Sequence, residues 1–272
     1  MDQGDRAYRG EHADIARVVA EIADVIDPAQ IMLVGARCRD ILHARLADGA
    51  RFRATNDTDL AVAIPDWSVF EELHARFGST EPAWQRMMIA GIPTDVVPFG
   101  ALEEPRGTIS REIGRIELNV HGFADVFDAA DVLALNDALR IRIPTLPGYA
   151  VLKAHAWLDR LEKYEYKDAQ DLALCIHWTS LRSDDLWGDA FWALEREDFD
   201  LHRGAAALLA AEMLALLSVE EAAVLRDRMG SMNVELLAQQ CVLAAPGWPT
   251  SADARRAVVA ALVRGVTDVP QC

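Results

Sequence analysis

The hydrophobic pattern changes period once along the chain, and that change sets what it can fold into. Up to "IPTLPG", residues 143–148, short apolar runs of strand length alternate with segments of helical period; beyond it the segments are helical. In "EHADIARVVAEIADVID" the residues Ile15, Val18, Val19, Ile22 and Ile26 recur at helical spacing, ending before Pro28. "QIMLVG" is a buried strand closed by Gly35, and "ARCRDILHARLA" resumes a helical period through Cys38, Ile41, Leu42 and Leu46. "LAVAI" reads as a second strand stopped by Pro65. "DWSVFEELHARFG" reads as a helix with Asp66 as N-cap and Gly78 as terminator. "WQRMMIA" and "TDVVPFG" bracket "GIP" as an antiparallel hairpin, and "RIELNV" and "ALRIRIP" add two strands. The expected fold is α/β (α+β): residues 1–145 build strands and helices around one small mixed sheet, and residues 146–272 an all-helical domain.

The beginning of the sequence, "MDQGDRAYRG", has no apolar signal core. The longest apolar stretch, "GAAALLAAEMLALLSV", is interrupted by Glu212 and too short to span a bilayer, so no membrane partner and a cytoplasmic location are expected. Cys38, Cys175, Cys241 and Cys272 make no Cys-x-x-Cys pair, which leaves neither a disulfide framework nor a zinc knuckle. A net charge of −16 disfavours a chain whose main task is wrapping a nucleic-acid backbone. Within that acidic chain, residues 35–53 carry Arg37, Arg39, Arg45, Arg51 and Arg53 against Asp40 and Asp48 alone.

That basic segment leads to "RFRATNDTDLAVAIP", where Asp57 and Asp59 stand two apart at the mouth of a strand. Residues i and i+2 of a strand face the same side, so the two carboxylates project together and repel unless a cation compensates them. A turn, with Asn56 and Asp57 capping the strand and Asp59 solvated, explains the pair equally well when it is taken alone. Asp95 opens "TDVVPF" as Asp59 opens "TDLAVAI". If those strands are neighbours, three carboxylates meet at one sheet edge, a hard oxygen-rich site suited to magnesium. Beside a glycine turn and a helix N-terminus, such a site can hold a nucleoside triphosphate and two metal ions.

The ordered series "VGARCRDIL", "RATNDTDLAV" and "TDVVPF" resembles the signature of the polymerase-beta-like nucleotidyltransferases. Downstream, "YAVLKAHAWLDRLEKYEYKDAQDLALCI" resembles the Lys, Arg, basic-Asp-x-x-Asp helical pattern of the AbiEii branch, the toxins of type IV toxin–antitoxin systems. The resemblance implies an N-terminal nucleotidyltransferase fold and assigns Asp57, Asp59 and Asp95 to catalysis and to binding of two Mg2+ ions. It places Gly35, Ala36, Arg37 and Arg53 at the phosphates. It brings Lys153, one of three lysines in the chain, to the triphosphate, and uses Asp168 and Asp171 to hold or orient Lys153 or the base. For the last pair a simple preference for acid in the first turn of a helix is an equal explanation. Gly35 is followed by Ala36 and Arg37 where the family's turn carries Gly-Gly or Gly-Ser, so no side-chain hydroxyl faces phosphate there.

The activity so implied is transfer of a nucleoside monophosphate from an NTP to an acceptor hydroxyl with release of pyrophosphate. The toxin resemblance implies the tRNA 3′ end as acceptor and a cognate antitoxin as partner. A small-molecule, antibiotic-type hydroxyl is the enzymatic alternative, and a homologue that binds nucleotide without turnover is the third. His155 and His177, among apolar neighbours, and Trp157, Trp178, Trp187 and Trp192, on expected helices, read as packing residues.

Overall fold

The computed structural model describes residues 10, 12–47, 57–78, 83–111, 116–160 and 166–268. The fold is mixed α/β with a helical C-terminal part, and it divides into two compact units: residues 1–44 with 49–145, and residues 45–48 with 146–272.

In the first unit, α1 (Ala13–Ile22) buries Ile15, Val18, Val19 and Ile22, the stripe that its periodicity marks. A 3₁₀ turn, Pro28–Gln30, follows, with the Asp27 carboxylate accepting from the Ala29 N–H at 2.9 Å. All four residues of β1 (Ile31–Val34) are buried, because β1 lies inside the sheet. It is followed without a break by α2 (Gly35–Leu46), then β2 (Thr58–Ile64) and α3 (Trp67–Phe77). The cap of α3 is the expected one: the Asp66 carboxylate accepts from the Ser68 N–H.

β3 (Arg86–Ile89) and β4 (Ile92–Gly100) form the expected antiparallel hairpin, but its turn is Ala90–Gly91 rather than "GIP". Both turn residues have positive φ, 49° and 75°, as a two-residue turn needs to match the twist of its strands. After β5 (Thr108–Arg111), β6 (Ile116–Asn119) and α4 (Phe123–Asp128), β7 (Asp131–Ala134) and β8 (Arg140–Ile143) pair antiparallel. The main sheet runs β3-β4-β2-β1-β8-β7, with β2–β4 and β1–β8 parallel. "RIELNV" is a strand, as expected, yet it pairs with β5 in a separate two-stranded sheet, so the described residues of the unit hold two sheets rather than one.

The described residues of the second unit form helices and no strand: α5 (Leu146–Asp159), α6 (Lys167–Ser180), α7 (Ser183–Leu186), α8 (Phe191–Arg196), α9 (Leu201–Leu216), α10 (Val219–Gly230), α11 (Val234–Gln240) and α12 (Ala252–Thr267). Its apolar stretch is α9, a core helix that buries Ala205 to Ala210 and Met213. Small residues let α9 and α12 approach closely: a β-carbon at Gly265 would lie 2.5 Å from the Ala210 Cβ. Among the described residues no helix is long and apolar enough to cross a membrane. Cys38, Cys175 and Cys241 are buried; Cys272 lies outside the described residues.

Candidate active site

The strand-to-helix turn after β1 is built around Asp59. Gly35 opens α2 with φ +67°, a left-handed conformation, and a β-carbon on it would fall 1.9 Å from Asp59 Oδ2. Glycine is therefore required twice, by the backbone and by the carboxylate packed against it. The positive end of α2 is where such a carboxylate is electrostatically favoured.

Strand register places the rest. Val34 pairs with Asp59, Asp59 with Asp95, and Asp95 with Arg86, so these residues form one row across β1, β2, β4 and β3. β2 and β4 are thus the neighbours that the aspartate reading required. Asp57 precedes Asp59 by two residues, and the alternating burial of Thr58 and Leu60 keeps both aspartates on the opposite face from the core. Thr94 and Val96, buried on either side of Asp95, repeat the alternation on β4.

Arg86 is the residue that the aspartate pattern did not reveal. Its Nε and Nη2 donate to the two oxygens of Asp95 at 2.6 and 2.9 Å, a bidentate pair, and its Nη2 lies 4.0 Å from Asp57 Oδ2. The signal was present in the hairpin: once the turn is Ala90–Gly91, counting outward from Ile89 and Ile92 sets Arg86 opposite Asp95. Arg86 thus supplies the positive charge that clustered carboxylates need.

The donor set of Asp57, Asp59 and Asp95 is anionic oxygen, the chemistry that magnesium takes. Among the described residues no group of three or more His, Cys, Asp or Glu side chains is gathered tightly enough to hold a metal ion. The register gives the reason, since Asp59 is turned against Gly35 while Asp95 is engaged by Arg86.

Of the residues expected at phosphate, Gly35 and Ala36 form the first turn of α2, whose N-terminus favours an anion. Arg37 is engaged elsewhere: its Nη2 pairs with Asp14 at 2.8 Å, tying α2 to the start of α1. Arg39 pairs with Asp40. The basic segment is therefore neutralised in part by its own neighbours. Arg53 lies outside the described residues.

In the helical unit, Lys153 on α5 and Asp168 and Asp171 on α6 form a buried network. Lys153 Nζ stands 2.9 Å from Asp168 Oδ1 and 2.6 Å from Asp171 Oδ2. Arg160 pairs with Asp168 at 2.6 Å, and the Tyr149 hydroxyl donates to Asp171 at 3.0 Å. Two cations meet two carboxylates, which compensates their burial. Burial disfavours the charged forms here, but Asp171 and Asp168 outweigh it for Lys153 and raise its pKa above the ordinary lysine value. Burial is likewise outweighed at Asp168, where Lys153 and Arg160 hold the carboxyl below the usual carboxylate range. Of the roles weighed for Asp168 and Asp171, the geometry fits holding Lys153. First-turn preference alone does not account for two buried, paired acids.

Trp157 and Trp178 are core residues as expected, whereas Trp187 and Trp192 are exposed, which corrects their reading as packing residues. His155 is buried with its Nδ1 2.7 Å from Arg228 Nη1, and His177 stacks on His202 at 6.3 Å, both in keeping with packing roles. No family model matches the chain, and no curated protein matches it.

Proposed function

We propose that the chain is a metal-dependent nucleotidyltransferase whose catalytic edge is formed by Asp57, Asp59 and Asp95. The observation that carries this reading is the register: Asp59 and Asp95 stand side by side on parallel strands, with Asp57 two residues ahead and a glycine-opened helix directly beyond. The sequence resemblance to the polymerase-beta-like enzymes, carried by the same residues in the same order, supports it. In the reaction the acceptor hydroxyl gives up its proton to solvent as its oxygen bonds to the α-phosphorus, the bond from that phosphorus to the bridging oxygen breaks, and pyrophosphate leaves with the electron pair.

Asp57, Asp59 and Asp95 would hold magnesium only once Arg86 releases Asp95 and Asp59 turns from Gly35, and magnesium held there would supply charge stabilisation at the triphosphate and lower the pKa of the acceptor hydroxyl. Asp59 and Asp95 occupy paired positions on adjacent parallel strands, so a cation that displaced Arg86 would meet both carboxylates at one edge. The N-terminus of α2 favours an anion, a place that the Asp59 carboxylate already shares. Arg86 neutralises Asp95 in the ground state and must release it before Asp95 can serve another partner.

A second reading is favoured by Arg86 itself. A bidentate arginine offsets the charge of Asp95 and stands 4.0 Å from Asp57, so the same residues also suit a homologue that binds nucleotide without turnover. The two are separated by incubating the protein with each α-³²P-labelled NTP, magnesium and total tRNA, beside the Asp57→Ala, Asp59→Ala double variant. Label on RNA with wild type only supports transfer to an RNA 3′ hydroxyl. Label on a small hydroxylated acceptor supports the antibiotic-type reaction. Magnesium-dependent NTP binding with neither product supports the second reading, and absence of NTP binding overturns both.

A further inference from the structure

The helical unit carries an aromatic rank that its own core does not use. Trp187 and Phe199 are 59% and 57% exposed, and both rings touch the half-buried Phe191, at centroid distances of 6.1 and 5.9 Å. Phe199 is aimed outward by a constrained turn: Asp198 and Phe199 both have positive φ, 52° and 60°, conformations uncommon for residues other than glycine. The turn is pinned by the buried Glu197, which accepts from Arg203 at 3.1 Å and from Arg264 at 2.9 Å, and by the pair between Arg203 and Asp198.

The surroundings are acidic. Residues 181–201 contain seven acids against Arg182 and Arg196, a net charge of −5. Both arginines are spent, Arg182 on Asp185 and Glu212 and Arg196 on Asp268, while Asp184, Asp189 and Glu195 are exposed in the same stretch of chain as the rank. A rigid aromatic centre with a charged rim is the composition of a docking surface rather than of a solvated face. The sign of the rim selects the occupant: nucleic acid and anionic lipid are repelled, and so is a second copy of this chain, which brings the same rim and a net charge of −16.

We propose that the Trp187–Phe191–Phe199 rank docks a basic, amphipathic segment of a partner protein, its apolar face on the rings and its cations on Asp184, Asp189 and Glu195. This is independent of the nucleotidyltransferase reading.

The test is fluorescence anisotropy with a labelled 14-residue amphipathic helix of leucine and lysine, titrated with the full chain, beside a control peptide carrying glutamate for lysine. Saturable binding of the lysine peptide is expected. It should weaken at least about 10-fold in the W187A/F199A variant, as for loss of aromatic anchors elsewhere. It should weaken also in D184N/D189N/E195Q and at about 0.5 M salt, where exposed charges are screened. The substituted side chains other than the half-exposed aromatic contacts are at the surface, and circular dichroism confirms that each variant is folded. Equal affinity of wild type and W187A/F199A would mean attraction by net charge alone and overturns the proposal, as does absence of saturable binding. A concentration-dependent dimer in sedimentation, lost in W187A/F199A, also overturns it by making the occupant a second copy.

Discussion

Arg86 and Asp95 face each other across the β3–β4 hairpin, joined by two hydrogen bonds of 2.6 and 2.9 Å, so an arginine occupies the carboxylate on which the catalytic reading depends. Arg86 and a bound cation would compete for the same oxygens. Truncation by Arg86→Ala leaves Asp95 without its bidentate partner and removes the cation near Asp57, which is expected to lower stability in magnesium-free buffer by about 1–3 kcal/mol. Added magnesium should restore most of that loss in the variant while moving wild type little. Thermal melts across a magnesium titration read both effects, and a variant indifferent to magnesium would count against a metal at this edge.

Gly35 and Asp59 are coupled sterically. Alanine at position 35 must adopt a left-handed φ, at roughly 1–2 kcal/mol, and must also displace a carboxylate that lies where its β-carbon would go. Gly35→Ala should therefore destabilise by more than the backbone cost alone. The double variant Gly35→Ala, Asp59→Ala should recover the steric part, giving a non-additive cycle in urea unfolding. Strict additivity would show that the two residues do not press on one another.

What the sequence made legible follows from physics. β1, β2 and β4 announce themselves as apolar runs, and Asp57, Asp59 and Asp95 mark the mouths of β2 and β4. That Asp59 and Asp95 are neighbours required a pairing which no local pattern encodes. Arg86 stayed hidden because its partner depends on the hairpin register, set by a turn whose Ala90 is not a residue expected at positive φ. β7 was invisible for a different reason: it is an edge strand with Leu133 as its one buried residue, too little alternation to read. Helical period likewise could not tell the buried Trp157 and Trp178 from the exposed Trp187 and Trp192, since apolar side chains at helical spacing look alike until tertiary packing selects among them.

Removing Lys153 should be among the most damaging single changes to the helical unit. Lys153→Met keeps the volume and deletes the charge, leaving Asp168 with Arg160 alone and Asp171 with the Tyr149 hydroxyl. Breaking one side of a buried charge network costs about 3–5 kcal/mol, so a large drop in the urea midpoint is expected. The triple variant Lys153→Met, Asp168→Asn, Asp171→Asn should recover part of it, because no unpaired carboxylate is then buried. If Lys153→Met alone is nearly neutral, the network contributes little to the fold.

The same network sets where stability depends on pH. Asp168 has its folded pKa lowered, so its contribution is fully present above its unfolded value, near 3.9, and is lost as pH falls through the lower folded value. Lys153 has its folded pKa raised, so its contribution is fully present below its unfolded value, near 10.4, and is lost as pH rises through the higher folded value. Between those limits neither group changes its charge, and the network predicts a flat stability from about pH 5 to 9 with losses at both ends. Asp168→Asn should lower stability on the plateau and make the decline below about pH 4 shallower than in wild type. Urea unfolding at intervals from pH 2.5 to 7 measures that slope. An acid slope unchanged in Asp168→Asn would assign acid unfolding to other carboxylates.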